Sequence, residues 1–389
     1  MSAARRLTPA QLVEALASVR ATTLSRVLDL DDAQWRVPFD PFLQPTAWDL
    51  GHVGWFAEFW VLRGPHRLRP DGFVEAALPG RFFAQDAHYD SAVIAHRDRW
   101  GEPPLPRAAL LEAFAAQLEA VQRHVAQHDG DPDVRYFAQL SLFHECMHAE
   151  ALAWTRGSCG YPAPADVVMP EVSMAEQLRV PAGEAQLGVE LGDDAGWEFA
   201  FDNEGPRHTV SVGGFSIDTQ PVRNDAFLAF VDDGGYERDE LWPAGRPARR
   251  LPARWRRRGD GAIEHRHYDR WLPLPMAQPV VHVDAFEAEA FCRWAGRRLP
   301  TAAEWEVAAA RGMPWGGTVW EWTSSTFAPY GPGFRPGPYV TYSTPWFHHQ
   351  RELRGGAYTT DRLMHDRRYR NFFLPERTDV FSGFRTVGV

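Results

Sequence analysis

The chain has 389 residues, 44% of them hydrophobic, with a net charge of −10 and a pI near 5.8. That length predicts two domains with a real core in each, and the acidic balance argues against nucleic acid or an anionic membrane as the main partner. All 41 basic residues are Arg, so Schiff-base lysine, P-loop lysine and pyridoxal phosphate chemistry are excluded.

The N-terminal MSAARRLTPAQLVEALASVR has no apolar h-region and does not read as a signal peptide. No apolar run reaches membrane-spanning length, so a soluble, cytoplasmic protein is expected. Thr8-Pro9 is an N-cap with Pro at the first helical position, and Leu12, Leu16, Val19, Thr23, Val27 and Leu30 mark one amphipathic helix. A polar, Pro-broken loop leads to a second, aromatic-rich helix over residues 47–63. It carries His52 among Trp48, Trp55, Phe56, Phe59 and Trp60. Residues 64–106 read as irregular, and residues 107–127 as a third helix with Leu110, Leu111, Phe114, Leu118, Val121 and Val125 on the core side. The fourth helix, VRYFAQLSLFHECMHAEALAWT, spans residues 134–155, follows Gly130-Asp131-Pro132 and stops at Gly157 and Gly160-Tyr161-Pro162. Cys146, Cys159 and Cys292 lie at unrelated spacings and give no disulfide framework.

Helical period places Phe137, Leu140, Ser141, His144, His148, Ala151 and Leu152 on one face of the fourth helix. Two imidazoles one turn apart can reach a single metal ion, and Glu150 follows in the pattern His-x-x-x-His-x-Glu. The third donor must come from elsewhere, and His52 is the best candidate. The competing reading is a set of satisfied core histidines. Four helices, one long crossover and inward-pointing ligands describe a helix bundle with a metal site in its core. The expected organisation is a helical metal-binding domain over residues 1–161, a Pro-rich linker over 162–178, and an irregular α+β domain over 179–389. There VPAGEAQLGV and PRHTVSVGGFSIDTQPV alternate like strands around an acidic loop at 198–204, and helices are expected at 224–234 and 284–295.

The blocks FDNEGPRHTVSVGGFSIDTQPVRNDAFLAFV, PVVHVDAFEAEAFCRWAGRRLPTAAEWEVAA, GGTVWEWTSS and LRGGAYTT, with YRNFF and FSGFR beyond, resemble the formylglycine-generating, sulfatase-modifying fold, a C-type-lectin-like variant. They are mainly scaffold, so they imply the fold and not the chemistry. Formylglycine generation uses a late cysteine pair for copper. No cysteine follows Cys292, so that activity is not expected. The N-terminal bundle resembles the DinB-like domain of the ergothioneine-type sulfoxide synthases, and the fusion of the two domains is itself characteristic of that family. The resemblance implies non-haem Fe(II) held by His52, His144 and His148, with O₂ as co-substrate. It also implies hercynine, the betaine of histidine, as the substrate whose ring carbon gains a chalcogen.

Three neutral imidazoles leave half of an octahedral shell open for substrate, O₂ and donor. A quaternary ammonium is best held by aromatic faces, and Tyr369, Phe372 and Phe373 surround Asn371, which with Arg370 matches the family's betaine-contacting Arg-Asn pair. The family's proton-donating tyrosine corresponds to Tyr330, Tyr339 or Tyr342, with Tyr339 and Tyr342 preferred. Family members that use γ-glutamylcysteine carry Arg-Asn-Trp-Asp where this chain has Arg370-Asn371-Phe372-Phe373, so an ammonium on the donor loses its carboxylate. Met147 replaces a common Gln, and the loop bearing Tyr89, Asp90, Ser91, His96, Arg99 and Trp100 suits a sugar. These departures make the chain look more like selenoneine synthase, with a selenosugar as donor, than an ergothioneine synthase with a thiol donor. Two further classes stay open. His144-Glu145-Cys146-Met147-His148 also spells the zinc-hydrolase pattern H-E-x-x-H, with Glu145 as base and only Glu171 as a further ligand. A non-catalytic lectin-like module fused to a bundle is the other.

Overall fold

The computed structural model describes residues 3–190, 198–242, 245 and 247–388. They divide into two compact units. One comprises Met1–Pro164 with Gly196–Phe199 and Gly337–Tyr342, and the other Ala165–Ala195, Ala200–Pro336 and Ser343–Val389.

The first unit is built on four long helices. α1 (Pro9–Ser25) opens on a capping box between Thr8 and Gln11. Near its end the hydroxyls of Thr22, Thr23 and Ser25 donate back to the carbonyls of Ser18, Val19 and Thr22. Such bonds compete with the helical ladder. The helix accordingly ends before Val27 and Leu30, which remain buried. A single turn, α2 (Asp32–Trp35), is capped by Asp31. α3 (Thr46–Ala57) continues as a π-helical turn, Glu58–Leu62, where regular helix was expected. At that widened turn the Glu58 carboxylate accepts the backbone N–H groups of Arg81, Phe82 and Phe83, tying the crossover to the helix. The crossover holds a hairpin, β1 (His66–Leu68) with β2 (Val74–Ala76), and a short turn, α4 (Asp86–Tyr89).

α5 (Arg107–Gln127) has the span its apolar periodicity predicts. α6 (Pro132–Cys159) runs through Gly157 and is capped by Gly160 at φ 68°. Of the stop signals in the sequence, Gly157 and Gly160-Tyr161-Pro162, it is Gly160 that supplies the left-handed cap. α1 and α3 each pack against both α5 and α6. Two glycines let α3 approach the crossover closely. A Cβ on Gly51 would lie 2.1 Å from Cε1 of Tyr89, and one on Gly54 would lie 2.4 Å from Cε2 of Phe83.

The second unit is an irregular α+β fold. β4 (Gly183–Leu187) pairs antiparallel with β5 (His208–Val212). A four-stranded sheet runs β10 (Arg297–Arg298), β15 (Val387–Gly388), β6 (Phe215–Asp218), β3 (Gln177–Val180), so ordered strand begins inside the stretch expected as linker. A second sheet has the order β13 (Asn371–Phe373), β12 (Arg351–Gly355), β11 (Trp320–Thr326), β14 (Ser382–Gly383), with β11 and β14 parallel. β7 (Trp255–Arg257), β8 (Ile263–His267) and β9 (Arg270–Pro273) form a meander.

α7 (Asn224–Asp232) and α8 (Ala285–Trp294) lie where their sequence patterns place them. α9 (Ala302–Ala310) was not expected, although Thr301 and Glu304 make a reciprocal capping box at its start. Val180, Phe215, Ile217, Trp305, Val307 and Val387 form an apolar core. Beside it Glu321 accepts from Trp305 and Arg385, and Glu352 is bridged by Arg354 and Arg370, all buried.

Gly54→Ala forces a methyl against the Phe83 ring and should destabilise the folded state by about 1–3 kcal/mol, the ordinary penalty of overpacking a filled core. A urea midpoint equal to that of the parent would contradict this account of the α3 contact.

Candidate metal centre

α3 carries His52 inward, and α6 carries His144 and His148 one turn apart. The Nε2 atom of His144 lies 3.1 Å from Nε2 of His52 and 3.2 Å from Nε2 of His148. All three donor atoms lie within 4.8 Å of one another, and these histidines are the only such group among the described residues. Their tautomers follow from the outer ring nitrogens. Nδ1 of His52 lies 2.7 Å from the Tyr89 carbonyl oxygen, and Nδ1 of His148 lies 2.6 Å from Oδ1 of Asp49. A carbonyl and a carboxylate can only accept, so each Nδ1 carries a proton, and in the neutral ring it is Nε2 that presents the lone pair.

A hydrogen on Nε2 of His144 could satisfy one of its two neighbours and not both. The remaining contact sets lone pair against lone pair. A cation at the focus relieves it, and metal–nitrogen bonds of about 2.1 Å at right angles separate donors by about 3 Å, matching the observed spacing. The donor set thus fits a first-row divalent metal. Burial first, and the neighbouring imidazoles second, hold His52 and His144 well below the usual histidine range, so both rings are neutral near pH 7. The rings are clamped by aromatic faces. Trp48 stacks on His52 at 4.7 Å and Phe56 on His144 at 3.7 Å.

The other expected site residues fare differently. Glu145, next to His144 in sequence, points elsewhere on the helix: it is buried in a bidentate pair with Arg20, at 2.7 and 3.1 Å. Arg20 also donates to Gln117 and to the Phe114 carbonyl. A carboxylate held this way cannot serve as a hydrolytic base, which removes the support for the H-E-x-x-H reading. Glu150 is buried outside the converging set. Tyr89 corrects an expectation. Its ring is packed against Phe83 and the Gly51 backbone, and its contribution is the backbone carbonyl that orients His52. Arg99 lies 4.1 Å over the Trp48 ring and donates to Gln44 and to the Ser91 carbonyl. Met147 is half-buried between the two α6 ligands.

Tyr339 and Tyr342 belong to the segment that clusters with the bundle. The Tyr339 ring meets Phe56 edge-on at 5.1 Å, and burial raises its pKa. The Tyr342 ring is 6.2 Å from that of Tyr339. Tyr330 lies in the other unit, where its hydroxyl accepts from Arg354.

In the second unit Arg370 donates to both oxygens of Glu352 and to the carbonyls of Asn203 and Ala328. Those partners make it a scaffold residue, against the expected substrate contact. Phe372 is likewise committed, stacked on Phe327 at 4.1 Å. Asn371 accepts from the Phe372 N–H, and the Arg377 guanidinium sits 4.7 Å over the Phe373 ring. Sequence reasoning missed Asp49. Its signal was available, three residues before His52 on the same helical face.

Residues 15–152 match the DinB superfamily, and residues 164–316 match the sulfatase-modifying factor enzyme 1-like domain. A DinB-type bundle carried in one chain with that second domain defines a two-domain class of oxygenases. The hercynine oxygenase of Mycobacterium tuberculosis is 33% identical over 97% of this chain and 98% of its own length. Those of Mycolicibacterium thermoresistibile and Mycolicibacterium smegmatis are 33% and 32% identical over 97% and 96% of this chain, and 94% and 97% of their own lengths. The chain belongs to the hercynine oxygenase family. The formylglycine-generating enzyme of Streptomyces coelicolor is 30% identical over 54% of this chain and 88% of its own length. No helix of the described residues is long and apolar enough to cross a membrane.

His148→Ala should abolish stoichiometric Fe(II) retention while the metal-free protein stays folded; full iron content in that variant would remove His148 from the ligand set. Glu145→Gln should do the reverse. It removes the carboxylate paired with the buried Arg20 and costs about 3–5 kcal/mol of stability, with metal content per folded molecule unchanged. Loss of metal at full stability would return Glu145 to the site.

Proposed function

We propose that this chain is an Fe(II)- and O₂-dependent enzyme that joins a chalcogen to the imidazole carbon of hercynine, with sulfur as the donor atom. The observation that carries the reading is the convergence of three imidazole Nε2 atoms, two with their tautomers fixed by acceptors behind them, in a chain alike over its whole length to hercynine oxygenases. Bound ferrous iron would supply O₂ activation and a template for substrate and donor. His52, His144 and His148 would hold it. The protein's own contribution is then positioning. Trp48 and Phe56 fix two ligand rings and keep water from their faces. Tyr339, buried and with its phenol kept protonated, is the proton donor best supported by its nearness to Phe56, and Tyr342 is the second candidate. Asn371 and Phe373 are kept as contacts of the substrate betaine or the donor. Arg99 and Met147 are kept as residues shaping the donor side.

The selenosugar reading rests on the loop at Tyr89 and on the apolar Phe373. Burial of the Tyr89 ring weakens the first, and the relatives favour the sulfur alternative. The absent carboxylate at Phe373 remains a specific reason to test a donor without an ammonium group.

The decisive experiment loads the protein anaerobically with Fe(II), adds hercynine and O₂, and offers cysteine, γ-glutamylcysteine and a selenosugar in competition, with products read by mass. The expected result is oxygen-dependent consumption of hercynine with one sulfur-containing adduct. A selenium adduct in excess would reverse the donor assignment. No turnover of hercynine with any donor would overturn the reading.

A further inference from the structure

The three ligands differ in what stands behind them. Nδ1 of His148 donates to the Asp49 carboxylate at 2.6 Å, and Nδ1 of His52 to the Tyr89 carbonyl at 2.7 Å. Nδ1 of His144 is buried against the Phe56 ring, with no hydrogen-bond partner among the described residues. An imidazole that donates to a carboxylate is a stronger base at its other nitrogen than one that donates to an amide carbonyl, and both exceed one that donates to nothing. Asp49 has only 2% of its side chain exposed, so solvent does little to screen that effect.

The arrangement is also mechanical. Asp49 and His52 sit three residues apart on α3, so one helix face supplies both a ligand and the partner of a ligand on α6. We propose that Asp49 is a positioning residue that orders the three imidazoles as donors, His148 strongest, His52 intermediate and His144 weakest, and thereby sets the affinity of the site and the ease with which its iron is oxidised. The inference rests on the three-histidine metal reading. A merely structural role, stapling α3 to α6, would move stability and leave the metal's properties alone.

The test compares the full-length parent with Asp49→Asn and Asp49→Glu, using Fe(II) affinity by chelator competition, the Fe(III)/Fe(II) potential, and the thermal midpoint of the metal-free protein. Asp49→Asn should weaken Fe(II) binding about 10–100-fold and raise the potential, because a less basic His148 stabilises Fe(III) less. Asp49→Glu should recover part of both. Unchanged affinity and potential in folded Asp49→Asn overturn the proposal, whatever its midpoint does. Failure of the parent to bind Fe(II) overturns it together with the metal reading, which separates the two failures. Should Asp49→Asn not fold, the zinc-loaded parent decides the matter. Its His148 Nδ1–H resonance is expected further downfield than that of His52, and the opposite order or coincidence refutes the ranking.

Discussion

Hydrogen-bond direction governs this structure more than any single apolar contact. Once the Tyr89 carbonyl and the Asp49 carboxylate stand behind His52 and His148, the proton of each ring has one place to go, and both lone pairs must face inward. His144, stacked on Phe56, brings a third nitrogen to the same point. Buried polar groups that face each other without a hydrogen between them are costly unless something positive lies there. The aromatic clamps, the glycines of α3 and the tie from Glu58 to the crossover all serve to keep that focus from relaxing.

Charge is handled in the same spirit elsewhere. With no lysine in the chain, every buried cation is a guanidinium, and each buried Arg in the second unit is matched by a carboxylate or a set of carbonyls. Arg354 and Arg370 share Glu352, and Arg385 holds Glu321. Planar, multidentate donors suit this role better than a point-like ammonium, because several hydrogen bonds are satisfied at once. The same economy explains why Arg370 is unavailable for a substrate and why Glu145 is unavailable as a base.

Much of this was legible in the sequence. The i, i+4 pair on α6 and the lone histidine in an aromatic helix marked the three imidazoles that converge, because a 3.6-residue period fixes which side chains share a face. α5 was read to the residue for the same reason. What escaped were features set by tertiary partners. Hydroxyl back-bonding ended α1 early, and the Glu58 contacts accompanied a π turn. Tyr89 served through a backbone atom that no side-chain pattern reports. The α9 capping box at Thr301 and Glu304 is a sequence signal that went unused. Phe372 looked like a cage wall and is stacked on Phe327, since composition cannot say which aromatic faces are already covered.

The Arg20–Glu145 pair bears on the metal-free state. Successive residues of a helix project about 100° apart, so the angular phase of α6 that seats Glu145 against Arg20 of α1 is the same phase that turns His144 and His148 toward His52. Spinning the helix to disperse the imidazoles would strip a desolvated ion pair. The cavity for the ion is therefore cast by the fold before any ion arrives. Demetallation should leave a native chain with an empty socket, unlike small zinc modules in which binding and folding are one event.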